Sequence, residues 1–131
     1  MVQGKEPITC SEELINIVLD AATEVHRILG PGLLESVYEQ ALFMELATSG
    51  LDVKRQVEIP VRYKGKELGT GFRADILVNN CLLLELKCVD EIAQIHLAQI
   101  ITYLKLLNIK RGYLLNFNQR LLKHGIKRVS I

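Results

Sequence analysis

Two carboxylates and a lysine stand in the most apolar part of this chain. Asp75 interrupts the run Phe72-Arg73-Ala74-Asp75-Ile76-Leu77-Val78, and ten residues later Glu85 and Lys87 interrupt Cys81-Leu82-Leu83-Leu84-Glu85-Leu86-Lys87. Burying such groups costs several kcal/mol each unless a partner compensates. The partners available are a metal ion, a substrate phosphate or, at a strand end, each other and Arg73. Paired carboxylates are hard oxygen ligands suited to Mg²⁺ or Mn²⁺, which can hold a phosphodiester and acidify an attacking water. A lysine beside them can orient that water or stabilise charge developing on phosphorus.

Both runs read as strands, so the chemistry depends on register. Side chains alternate faces, and Glu85 and Lys87, two apart, share one. Asp75 joins them only if it pairs with Glu85, which sets Val78 against Leu82 and makes Asn79-Asn80-Cys81 a three-residue loop. A two-residue Asn79-Asn80 loop would send the acids to opposite faces. The spacing therefore predicts an odd loop or a bulge, with Arg73 opposite Lys87.

The surrounding elements follow from periodicity. Leu14, Val18, Ala21, Val25 and Leu29 recur at helical spacing over 11–29, behind Thr9 or Ser11 as N-cap and Glu12 and Glu13 as first-turn acids. After Gly30-Pro31-Gly32, a second helix carries Leu34, Val37/Tyr38, Ala41/Leu42 and Leu46 on one stripe and ends at Ser49-Gly50. Extended segments follow over 53–63 and 68–78, joined at Lys64-Gly65-Lys66, with Pro60 suited to an edge or a bulge. Residues 81–87 are apolar on both faces, as a central strand should be. Asp90 can cap a helix over 91–107, and 112–117 reads as another buried strand. The tail adds a short helical turn and a final strand. The order ααβββαβ predicts one α/β domain over 1–131, a mixed central sheet flanked by helices.

Composition limits the alternatives. Of 131 residues 49% are apolar, too many for disorder, and no apolar run reaches the roughly 18 residues of a membrane helix. The opening Met1-Val2-Gln3-Gly4-Lys5-Glu6-Pro7 lacks the apolar core of a secretion signal, so a cytoplasmic address is expected. Cys10, Cys81 and Cys88 form no C-x-x-C pair and read as reduced, mostly buried thiols. The net charge of +1 conceals a segregation: residues 1–50 hold two basic and eight acidic side chains, residues 51–131 fourteen and seven. A basic half suits a polyanion, as do Lys54, Arg55, Arg62, Lys64 and Lys66 on the first hairpin, although solvated edge protection explains that hairpin equally well.

Asp75 followed by Glu85-Leu86-Lys87 resembles the core of the PD-(D/E)XK nuclease superfamily. Gly32-Leu33-Leu34-Glu35-Ser36-Val37-Tyr38 is similar to the signature of its GxxExxY family. The likeness extends through Arg55-Gln56-Val57, Tyr63-Lys64-Gly65, His96-Leu97-Ala98-Gln99 and Asn116-Phe117-Asn118. Gln99-Ile100-Ile101-Thr102-Tyr103 also resembles the Q-x3-Y motif of RecB-like members, which puts Gln99 and Tyr103 beside the acids. The resemblance implies a restriction-endonuclease-like core and a Mg²⁺- or Mn²⁺-dependent nuclease acting on DNA more readily than RNA. Asp75 and Glu85 would bind the metal and Lys87 would assist the water. A helix glutamate would complete the site: Glu35 at the signature position, or Glu39 a turn deeper, which is slightly preferred, with His26 a third candidate. The competing reading is a nuclease-fold module that binds nucleic acid or a partner protein without turnover. The small chain leaves dimerisation or a partner protein to extend the surface, with Tyr113 and the apolar tail as contacts.

Overall fold

The computed structural model describes residues 5–131; residues 1–4, part of the opening segment discussed above, lie outside them. The element order is α1 (Glu12–Leu29), α2 (Glu35–Thr48), β1 (Val53–Tyr63), β2 (Lys66–Val78), β3 (Leu82–Lys87), α3 (Gln94–Leu107), β4 (Arg111–Asn116), a 3-10 turn (Leu122–Gly125) and β5 (Ile126–Ser130). The five strands form one mixed sheet in the order β1-β2-β3-β4-β5. Only β3 and β4 run parallel, and α3 makes the crossover between them. As expected, β3 is central, and its residues 82–86 are buried.

One core lies between the sheet and the first two helices. Val18, Ala22, Tyr38, Leu42 and Leu46 meet Ile76, Val78, Leu82, Leu84, Leu86, Leu115 and Phe117 there. The second core packs Ile100 and Leu104 of α3 on Ile59, Ala74, Leu77, Leu83 and Leu114. Among the described residues, no helix is long and apolar enough to cross a membrane.

Capping explains where the helices begin and turn. Ser11 Oγ accepts the Leu14 N–H at 3.1 Å, which starts α1 after the expected cap. Gly30 ends it with φ of 69°, and the Tyr38 hydroxyl holds the interhelical turn by donating to Gly30 O (2.5 Å) and accepting from Leu33 N–H (3.1 Å). Tyr38 is buried and stacks on Phe117, so it is a structural pin. Leu34 and Val37, expected on the buried stripe, are 75% and 40% exposed instead, because Tyr38, Leu42 and Leu46 set the contact line.

Four further expectations are corrected. The third helix begins at Gln94 rather than 91, without Asp90 as cap; the Ala93 N–H donates to its own helix's His96 Nδ1 at 3.0 Å. Tyr113, proposed as contact surface, is core. The cysteines are not all reduced: Cys10 and Cys81, 71 residues apart, form a disulfide, and Cys88 is free. The fold brings their Cα atoms to 5.4 Å by laying the segment before α1 beside the β2–β3 loop, a proximity that residue spacing does not encode. Finally, the ladder places Ile76↔Leu84, Leu77↔Leu83 and Val78↔Leu82, the register that gives a three-residue loop, but the pairing ends at Ile76. Arg73 therefore does not face Lys87. It bonds Glu58 on β1 at 3.3 Å, with both side chains well exposed.

Candidate active site

The site forms where β2 and β3 part. Beyond Ile76↔Leu84 each acid takes over a ladder bond: the Asp75 N–H donates to Glu85 Oε2 and the Leu86 N–H to Asp75 Oδ2, both at 2.8 Å. The two carboxylates are thus wedged between the strands on backbone donors, which fixes their positions before any ligand arrives.

A backbone irregularity produces that wedge. Gln56, opposite Asp75 on β1, takes φ of 51°, in the left-handed region that non-glycine residues seldom occupy. Side-chain alternation breaks there on both strands. Ile76 and Val78 face the α1–α2 core, whereas Ala74, of the same parity, faces the α3 core. Val53 and Val57 divide the same way on β1. Asp75 sits at the inversion point, at the junction of the two layers.

Two helices on opposite faces complete the surroundings. From α3, Tyr103 stacks on Phe72, and burial followed by the charges of Glu85 and Asp75 raises its phenol pKa. From the first turn of α2, Glu35 feels Asp75 and Lys87; it is largely exposed at the residue level, yet local desolvation and then Asp75 raise its carboxyl pKa. Glu85 is 5% exposed, and burial first, then Asp75, push its pKa to about 8. Asp75 is raised by burial, against the Leu86 N–H. The charge of Lys87 opposes the rise of all three carboxyls.

Glu39 has a different environment. Arg55 Nε and an Arg55 terminal nitrogen donate to its Oε2 at 3.1 and 3.0 Å, and Gln56 Nε2 donates to Oε1 at 2.7 Å. Both oxygens of Glu39 are therefore engaged. Gln56 also reaches Asp75 Oδ1, at 3.4 Å, so it bridges the Glu39 ion pair to the acid cluster. Arg55, read above as a phosphate-tracking cation, is used inside the protein, and its guanidinium also lies over the Phe43 ring. His26 is elsewhere, with its Nε2 2.7 Å from Gln119 O. Gln99 is exposed and, among the described residues, its side chain makes no hydrogen bond to the acids; only the tyrosine of that motif approaches them.

Two contributors escaped sequence reasoning. Gln56 resembles an ordinary exposed strand residue, and nothing in its neighbours announces a positive φ. Asn116, fully buried beside Lys87 in the parallel ladder, accepts the Val89 N–H at 3.2 Å and donates to Val89 O at 2.8 Å. It thereby holds the chain as it leaves the E-x-K strand; its position at the end of an apolar run was the available signal.

The cluster of Glu35, Asp75 and Glu85 against one Lys87 has excess negative charge when ionised, and Glu39, although paired with Arg55, still adds to it by raising Asp75 and Glu35. Burial first and that excess second raise the carboxyl pKa values, and a divalent cation would relieve the charge. Among the described residues, no three Asp, Glu, His or Cys side chains form a preassembled metal cage. The donor set nonetheless fits Mg²⁺, which is commonly held by one or two carboxylates with waters and substrate phosphate supplying the rest.

Comparisons with curated proteins and with solved structures each returned no match. A model of the PD-(D/E)XK nuclease superfamily matches residues 12–129, which run from the start of α1 into β5 and include the acid pair with its lysine. On that match, over a mixed five-stranded sheet flanked by helices, this chain belongs to the PD-(D/E)XK nuclease superfamily.

Proposed function

We propose that this protein is a metal-dependent nuclease that hydrolyses phosphodiester bonds in DNA in preference to RNA. The observation that carries the reading is the wedge itself: Asp75 and Glu85 are held on each other's strands by backbone N–H groups, with Lys87 two residues beyond Glu85 on β3 and its charge acting on both acids. Asp75 and Glu85 would hold Mg²⁺ or Mn²⁺, and Glu35, whose charge already acts on both, would complete the site in place of Glu39. When bound, the cation supplies Lewis acidity toward the scissile phosphate. Lys87 holds the attacking water or the developing phosphate charge, Tyr103 lines the α3 side, and Asp75 and Glu85 keep their geometry throughout. The preference for DNA rests on the resemblance to RecB-like members.

Incubating the protein with single-stranded, duplex and branched DNA and with RNA, in Mg²⁺ or Mn²⁺ and in chelator, tests this. Cleavage should require the ion, favour DNA and fall by about 100-fold or more in Lys87→Ala. Equal activity in that variant overturns the catalytic assignment. Nucleic-acid binding without any cleavage would instead establish a nuclease-fold binding module.

A further inference from the structure

The strands of the β1–β2 hairpin, 11 and 13 residues long, are about twice the length of the five- and six-residue strands beside them. Its base is anchored: Ile59 is 1% exposed in the α3 core, and Phe72 is stacked on Tyr103. Beyond that pair both strands leave the protein, and from Pro60 to Gly71 every residue is exposed except the half-buried Val61. The pairing continues through Pro60↔Thr70, Arg62↔Glu67 and Tyr63↔Lys66, so this is an ordered two-stranded ribbon. At ~3.3 Å per residue it reaches roughly 15 Å from the body. Two register slips, either side of Pro60, add right-handed twist. A Cβ at Gly71 would collide with the Val61 side chain, so the strands cross closely there.

The tip of this ribbon is basic. Arg62, Lys64 and Lys66 surround the turn, with Glu67 the one acid between residues 60 and 71. None of the three cations is in an ion pair with a carboxylate among the described residues; Arg62 donates to Gly65 O at 3.1 Å, and Lys64 lies over the Tyr63 ring. Tyr63 and Leu68 are 60% and 63% exposed beside them. A free-standing two-stranded ribbon gains little stability on its own, and this one spends three like charges at its end. Its root is the catalytic wedge, because Asp75 lies three residues beyond Phe72 on β2 and Gln56 three residues before Ile59 on β1.

We propose that this ribbon is a duplex-reading arm: it enters a groove of double-stranded nucleic acid and sets the Arg62, Lys64 and Lys66 cations against its phosphates. The inference rests on the nuclease reading of the Asp75–Glu85 site and names its substrate class as duplex. B-form DNA offers a major groove about 12 Å wide and 8.5 Å deep, which admits a two-stranded ribbon, and groove-entering ribbons need both twist and charge. A single strand has no groove to occupy. A second copy of this chain fits poorly as the occupant, since ribbon-to-ribbon pairing would bring two cationic tips together.

The test is binding, separated from cleavage. Duplex and single-stranded oligonucleotides of one sequence are titrated in Mg²⁺ at several salt concentrations against Lys87→Ala, and against Lys87→Ala carrying Arg62→Ser, Lys64→Ser and Lys66→Ser. A third protein, with Lys105→Ser, Lys123→Ser and Arg128→Ser in the same background, controls for lost charge. Removing the three ribbon cations should weaken duplex binding at least about tenfold at low salt and reduce the salt slope by about 2 to 3. Single-strand binding and the control should move much less, and urea unfolding of all three proteins should coincide. Duplex affinity unchanged by the ribbon substitutions, a change matched by the control, absence of duplex binding, or a wild-type dimer that the ribbon substitutions dissociate would overturn the proposal. If the wild type cleaves nothing while the ribbon result holds, the catalytic reading fails and the arm stands.

Discussion

Glu85 gives the most direct handle on the electrostatics of the wedge. Its carboxyl is held at about 8, against an ordinary value of 4.5, by burial and then by Asp75. Between those values the folded chain keeps a proton that the unfolded chain has released, so stability falls as pH rises through the window. A shift of this size corresponds to roughly 4–5 kcal/mol, a large share of the 5–15 kcal/mol typical of a domain. Glu85→Gln removes the titration yet keeps an acceptor for the Asp75 N–H. Urea unfolding at pH 5, 7 and 9, without divalent ions, should therefore show the wild type losing several kcal/mol relative to Glu85→Gln between the first and last. Adding Mg²⁺ at pH 9 should restore stability to the wild type and not to the variant. With its pKa raised above neutrality Glu85 is mostly protonated at pH 7, so ion binding should also release protons, measurable by calorimetry in two buffers of different ionisation enthalpy. If the pH profiles of wild type and variant run parallel, or the wild type gains on the variant as pH rises, the burial reasoning is wrong.

Two other outcomes follow from the geometry. Arg55→Leu should destabilise the protein by about 1–3 kcal/mol in chemical denaturation, because it strips two charged hydrogen bonds from the buried Glu39, and the double variant Arg55→Leu/Glu39→Leu should recover part of the loss; a neutral single variant would show that the pair does not matter. Cys10→Ser should cost about 2–4 kcal/mol under oxidising conditions and nothing further in reductant, since the bond closes a 71-residue separation; three reactive thiols in the denatured, unreduced wild type would show that the disulfide is absent.

Much of the site was legible because strand chemistry is local. A charged residue in an apolar run advertises itself, and the ten-residue offset from Asp75 to Glu85, together with the two asparagines between, restricts the loop enough to choose the register. Both asparagines take positive φ, 50° and 53°, as their side chains permit. The helix glutamates were harder to rank. Glu35 and Glu39 share a helix face, and only the position of Arg55, sixteen residues downstream of Glu39, separates a carboxylate held in an ion pair from one that, among the described residues, has none. Arg73 fell away from Lys87, and Gln99 makes no hydrogen bond to the acids among the described residues, for a related reason. Their assignments assumed that pairing and periodicity continue unchanged, and the strands part at Asp75 while Gln99 turns to solvent.

By itself the sequence determined the α/β class, the extent of most elements, the central strand and the identity of the Asp75, Glu85 and Lys87 group, since each depends on periodicity, turn chemistry or the cost of placing charge among apolar neighbours. Only the tertiary structure decided which carboxylate is paired with an arginine, where alternation inverts and how far the hairpin projects. Those depend on contacts between residues distant along the chain, such as Gln56 with Glu39 and Asp75, or Cys10 with Cys81, whose energies exist only once the sheet has assembled.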